Sequence, residues 1–239
     1  MTETRPRGPG GRRVQPLLSR AKALRTVAER VEFHSRILLG SPYEASPLGG
    51  SPGKPEVLSA ALDAFDCVTY VETVLALSLS ARAADFPGWL RRIRYEGGRV
   101  EWARRNHYMT GWIRCNARGG VVKRVAGGVR AVRKERTLDA VPGLRPRPAR
   151  FSCVPKREIG RLEPALETGD LAFFASTKAR LDVFHCGILV REGGRLGMRH
   201  ASRSQGAVVE QDLADFLKGH RMAGVIVVRP AAGTREEHE

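Results

Sequence analysis

Apolar positions recur at helical spacing in the first half of the chain and at strand spacing in the last third. Over roughly 19–39, Leu24, Val27, Val31 and then His34 or Leu38 mark one face of an amphipathic helix, ended by Gly40 and Ser41-Pro42. His34 reads there as a partly exposed packing residue. A Gly/Pro/Ser-rich loop from Ser41 to Lys54 follows, and it carries Tyr43. Next comes Phe65-Asp66-Cys67-Val68-Thr69-Tyr70-Val71-Glu72-Thr73-Val74-Leu75-Ala76-Leu77, which predicts a helix capped by Asp66 and buried along Val68, Val71 and Leu75, with Val74 alongside. Phe86-Pro87-Gly88 breaks the chain, and Trp89, Leu90 and Ile93 restart a short helix. Residues 94–102 predict a hairpin turning at Gly97-Gly98. The Val/Arg alternation over 118–150, with Pro142, Pro146 and Pro148, predicts weak strands and extended loop.

From Leu166 the pattern becomes that of an antiparallel sheet. Predicted strands are 171–175, 182–190 and 196–202, joined by turns at Gly169-Asp170 and Glu192-Gly193-Gly194. A helix over about 210–219 and a strand over 224–228 complete the pattern. Helices followed by hairpin-connected strands predict an α+β fold, with the cysteine-bearing helix packed on an antiparallel sheet. Residues 1–19 read as a disordered basic tail, 20–230 as one domain and 231–239 as a frayed end.

Composition narrows the partners. The 239 residues carry 41 Lys and Arg against 25 Asp and Glu, a formal charge of +16. That surface favours polyanions: nucleic acid, an anionic membrane surface or a carboxylate-bearing polymer. The basic 118–150 region lacks the interleaved aromatics of a base-stacking platform, which disfavours nucleic acid. No run of about 18 apolar residues predicts a membrane span. Arg12-Arg13 is followed only by Val14, Leu17 and Leu18 before Ser19-Arg20, too few for the apolar stretch of an export signal. The printed sequence thus reads as cytoplasmic. Cys67, Cys115, Cys153 and Cys186 show neither disulfide-scaffold nor zinc-ribbon spacing.

The candidate chemistry begins at Cys67. In the first turn of a helix, unpaired N–H groups and the macrodipole favour a thiolate, although a small buried cysteine fits the same position. His185 and His200 fall on predicted hairpin neighbours and can share a face. Together these are the parts of a thiolate–imidazolium pair with an orienting third group: Cys67 the nucleophile, His185 the base, His200 the orienter. Zinc held by Cys67, His185, Cys186 and His200 is the competing chemistry. It is disfavoured because the consecutive residues His185 and Cys186 point to opposite faces of a regular strand. Asn106, His107, Tyr108 and Trp112 form a polar-aromatic cluster that suits either ordinary packing or a pocket wall.

Five segments in order carry a family resemblance: Phe65–Glu72, Arg105–Ile113, Gly169–Leu171, Leu181–Ile188 and His200–Ser202. They resemble the N-acetylmuramoyl-L-alanine amidase-like branch of the NlpC-type cell-wall cysteine peptidases, over about residues 30–229. The resemblance implies a papain-like core and a cofactor-free, metal-free amide hydrolase acting on peptidoglycan or muropeptides. It assigns Cys67, His185 and His200 to the catalytic roles above, and an auxiliary role near the oxyanion to Tyr43, with Asp66 beside it. Asn106, His107, Tyr108 and Trp112 become candidate substrate contacts. Relatives act in the cell envelope, which differs from the compartment that the N-terminus suggests. The bond expected to break joins N-acetylmuramic acid to L-alanine. A γ-D-glutamyl-diaminopimelate endopeptidase with the same triad, and an inactive basic module that binds nucleic acid or polymer, are the alternatives.

Overall fold

In the computed structural model, which describes residues 13–231, a six-stranded antiparallel sheet divides the core in two. The sheet runs in the order β1 (Val122–Arg124), β8 (Gly224–Pro230), β4 (Leu171–Ala175), β5 (Val183–Glu192), β6 (Arg195–Ser202), β7 (Ala207–Asp212). Leu171, Phe173, Ala175, Cys186, Ile188, Ala201, Ile226 and Val228 face a helical layer. The intervening Ala172, Phe174, Leu189, Met198, Val225 and Val227 face a second core under α6 (Ile159–Leu162) and α7 (Leu213–Gly219). Alternation of period two therefore supplies both cores, and the strands are apolar on both faces. The helical layer comprises α1 (Val14–Arg20), α2 (Val27–Ile37), α3 (Cys67–Leu79), α4 (Phe86–Arg94) and α5 (Met109–Arg118). A separate two-stranded ribbon, β2 (Val132–Leu138) with β3 (Arg147–Cys153), stands beside it. This is the expected α+β architecture.

α3 is the central helix, buried on nearly every side from Thr69 to Ser78. Several of its polar groups find partners inside the protein. The Tyr70 hydroxyl donates to Ser35 O at 3.0 Å, Ser78 Oγ donates to Val74 O and meets His34 Nδ1, and Glu72 pairs with Arg94 at 2.6 Å.

Several boundaries differ from expectation. Residues 14–19, placed in the tail, belong to the helix Val14–Arg20, because Leu17 and Leu18 are buried against the helical layer. The tails at 1–12 and 232–239 lie outside the described residues. The helix expected over 19–39 is two helices, since Thr26 and Glu29 form a capping box that starts α2 afresh. His34 on α2 is fully buried rather than partly exposed. The predicted hairpin at 94–102 is a pair of tight turns: Gly97 and Gly98 both adopt positive φ, but only Tyr95 and Arg105 meet as a single bridge. β7 occupies the start of the helix expected at 210, and Asp212 caps α7 by accepting from Asp215 N.

Candidate active site

Asp66 and Thr69 build the start of α3. The Asp66 carboxylate accepts from Thr69 N at 2.7 Å and from Thr69 Oγ1 at 2.8 Å, while Thr69 Oγ1 accepts from Asp66 N at 3.0 Å. This capping box leaves the Cys67 and Val68 amides at the helix start without intrahelical acceptors. Cys67 is half-buried at the first helical position.

Strand register brings the two histidines together. β5 and β6 pair from Ile188↔Arg199 outward, which leaves a gap in the ladder at the beginning of β5. Across that gap His185 Nε2 meets His200 Nδ1 at 2.8 Å, with the rings nearly perpendicular. Phe216 lies 5.4 Å from the His185 ring and 5.6 Å from the His200 ring, an aromatic wall behind both.

Burial first, and the neighbouring His185 charge second, push His200 down to about 4. His200 is therefore neutral near neutrality, and in the tautomer with its proton on Nε2 its Nδ1 can accept from His185 Nε2. His185 Nδ1 is left for the thiol. His200 Nε2 is buried without a hydrogen-bond partner among the described residues.

The Cys67 thiol is held well below the ordinary thiol range. Hydrogen bonding with the Cys186 thiol is the largest influence; burial opposes it, and the hydrogen bond and charge of His185 reinforce it. Cys186 is pushed well above its ordinary value by the same hydrogen bond and by burial. The two shifts favour loss of the proton from Cys67, which has His185 and the helix start beside it, over loss from Cys186. Asp66 is raised to about 6, by burial and then by the Cys67 charge, against the pull of its bonds from Thr69.

Tyr43 also arrives near Cys67. Its segment is threaded between two backbones: Tyr43 N donates to Gly206 O at 2.8 Å, and Phe65 N donates to Pro42 O at 3.0 Å. Burial, then the charges of Cys67 and Asp66, raise the Tyr43 hydroxyl, and Arg203 offsets them. Periodicity carries no signal for Arg203, which reaches this group only through the turn that pairs with Tyr43.

The expected substrate contacts divide. A cavity of about 320 Å³ beside the first two turns of α3 is lined by Asp66, Thr69, Glu72, Arg105, Asn106 and His107, among others. Asn106 Nδ2 donates to Ile93 O, and His107 Nε2 contacts Trp102 O at 2.7 Å, so both line the cavity while tied to backbone. Tyr108 and Trp112 do not line it. Tyr108 is buried with its hydroxyl accepting from Val141 N, and Trp112 is buried against Phe173 with Nε1 donating to Glu72. Their polar tips serve internal hydrogen bonds, the packing alternative for an aromatic cluster.

A low-range thiol, an imidazole and a neutral second imidazole in line can attack an electrophilic carbonyl, and the α3 amides can meet the developing oxyanion. Among the described residues, no group of three or more His, Cys, Asp or Glu is placed to hold a metal ion. No described helix is long and apolar enough to cross a membrane.

Comparison with known proteins adds the following. A family model described as N-acetylmuramoyl-L-alanine amidase-like matches residues 33–225. Two crystal structures of an N-acetylmuramoyl-L-alanine amidase from Bacteroides uniformis are 24% and 25% identical, each with a TM-score of 0.74. The matches cover 86% and 85% of this chain and 99% and 98% of theirs. A Legionella pneumophila protein shares the fold at 19% identity and a TM-score of 0.80, over 91% of this chain and 93% of its own. A candidate xylanase from Bacteroides fragilis matches at 25% identity and a TM-score of 0.70, over 82% of this chain and 98% of its own. No curated protein matches the sequence significantly.

Proposed function

The chain belongs to the N-acetylmuramoyl-L-alanine amidase-like family, and from that premise we propose that it is a cysteine amidase, one domain over 20–230, that cleaves the amide between N-acetylmuramic acid and L-alanine in peptidoglycan or muropeptides. The observation that carries the reading is the line of groups from Cys67 through His185 to His200, closed by the 2.8 Å contact between the two rings. A cysteine at a helix start, followed by two histidines on successive strands, is also the order of parts in the papain-like NlpC-type peptidases, and we assign the chain to that superfamily.

The chemistry follows from the geometry. The Cys67 thiolate attacks the lactyl carbonyl carbon while His185 holds the thiol proton on Nδ1. The oxyanion of the tetrahedral intermediate is met by the Cys67 amide, with the Tyr43 hydroxyl beside it. Collapse breaks the C–N bond, and the nitrogen of L-alanine leaves with the proton from His185. A thioester on Cys67 remains. Water, deprotonated by His185, hydrolyses it and returns the proton to the sulfur. His200 accepts from His185 Nε2 throughout and keeps the ring aimed at the sulfur. The cavity beside α3, with Asn106 and His107 in its wall, receives the substrate, and Arg105 and Arg203 suit its carboxylates.

The test is product mass after incubation with defined muropeptides. Free peptide beginning with L-alanine is the expected product. Cys67→Ala and His185→Ala each abolish its release while the circular dichroism spectrum is unchanged. Peptide beginning with diaminopimelate would reassign the bond to the endopeptidase alternative, and undiminished turnover by Cys67→Ala would reject the mechanism.

A further inference from the structure

Cys186 has no part in the reaction above, yet it touches the nucleophile. It follows His185 in β5 and points to the opposite face, among the core residues under α3. It is almost wholly buried, and its Sγ lies 3.2 Å from the backbone carbonyl oxygen of Cys67. On a strand flanked on both sides, two consecutive side chains could not reach one neighbour. Here the β5–β6 pairing stops at Ile188, and the Cys186 side chain meets the start of α3 directly. His185 approaches Cys67 from one face of the strand and Cys186 from the other.

We propose that Cys186 is a positioning residue for the nucleophile: its thiol holds the Cys67 peptide carbonyl and offers the Cys67 sulfur a hydrogen-bond donor from the side opposite His185. The inference rests on the reading of Cys67 as nucleophile. A thiol has one proton to donate and two acceptors within reach. While Cys67 is protonated, the Cys186 proton serves the carbonyl. Once the Cys67 proton has passed to His185, rotation about the Cys186 Cβ–Sγ bond turns the same donor to the thiolate, with no bond made or broken. The opposite displacements of the two thiols, Cys67 downward and Cys186 upward, agree with this sharing. An apolar side chain at position 186 would fill the space and supply neither bond.

The experiment is the pH profile of Cys67 alkylation by iodoacetamide, followed by the mass of the Cys67-bearing peptide in wild type, Cys186→Ala and Cys186→Ser. In Cys186→Ala the midpoint rises by about one pH unit, so alkylation at pH values below the wild-type midpoint slows about tenfold. In Cys186→Ser, which keeps a donor, the rate stays within about threefold of wild type. Thermal unfolding of both variants reports the cost of any void separately, because a void alone lowers stability without moving the midpoint. A Cys186→Ala profile superimposed on wild type overturns the proposal. So does a Cys186→Ser profile shifted as far as Cys186→Ala, since volume rather than donation would then matter. The assay contains no substrate, so the two readings fail separately. A shifted midpoint in a protein that leaves muropeptides intact removes the substrate assignment and keeps the positioning role. Cleavage with an unshifted midpoint does the reverse.

Discussion

His34 and His200 are imidazoles that folding removes from water, and burial is the first cause that pushes each down to about 4. In the unfolded chain both titrate near 6.5. Between those values the unfolded state binds more protons, so stability falls as pH drops from about 6.5 to about 4. Asp66 acts in the other direction. Raised from 3.8 to about 6, it binds more protons in the folded state across that interval, so its contribution grows on acidification and is lost as pH rises through about 6. Two groups oppose one of similar size, and the net effect is acid destabilisation by a few kcal/mol at most. The thermal midpoint is therefore expected to fall between about pH 6.5 and pH 4. His200→Asn, which keeps an acceptor for His185, flattens that fall. A midpoint that rises on acidification would contradict the assignment of both histidines as buried and neutral. His200 was legible in the sequence as a strand residue fifteen positions after His185. Its neutral state was not, because that depends on enclosure by Phe216 and β7.

At the scale of the element, α3 carries the site and also its largest liability. Glu72 and Arg94 form an ion pair in which each side chain is 2% exposed. Trp112 Nε1 donates to Glu72 Oε1 at 3.1 Å, and Arg94 Nη1 donates to Ser59 O at 2.7 Å. Removing one partner leaves an uncompensated buried charge. Glu72→Ala is expected to cost roughly 3–5 kcal/mol in urea denaturation, and the double variant Glu72→Leu/Arg94→Met less than that. A double variant as damaged as the single one would show that shape rather than charge dominates here. Glu72 stands out in the sequence as a carboxylate inside an apolar helix. Its partner does not, since Arg94 is one of several basic residues on a neighbouring helix. The Asp66 cap was legible, whereas the Thr26-x-x-Glu29 box divides what apolar spacing alone reads as one helix.

Across the whole molecule, charge is unevenly distributed. Positions 118–161 contain thirteen Lys and Arg against three Asp and Glu. That stretch forms β1, the β2–β3 ribbon and α6. Between the ribbon and α5, a cleft of about 150 Å³ is lined by Arg114, Arg124, Arg147 and Arg150, and Arg147 lies 5.0 Å over the Tyr108 ring. Charge that is concentrated this way makes association with an anionic wall polymer sensitive to salt. Cosedimentation with purified peptidoglycan should fall as sodium chloride rises. Arg124→Gln/Arg147→Gln/Arg150→Gln should weaken it more than Arg20→Gln/Lys22→Gln/Arg25→Gln. Equal losses would mean that net charge alone is responsible.

Local pattern was enough for the cysteine at a capped helix start, the antiparallel strands after Leu166 and the two histidines on neighbouring strands. Caps act over three or four residues, and apolar periodicity over a few turns or one strand, so both are written in contiguous sequence. Tertiary structure alone decided that the β5–β6 pairing stops at Ile188, that Tyr43 is laced between Phe65 and Gly206, and that Cys186 meets a carbonyl 119 positions away. It also turned Tyr108 and Trp112 inward. Each of these follows from register and from which elements share a face, and both are settled only when distant segments compete for the same buried space.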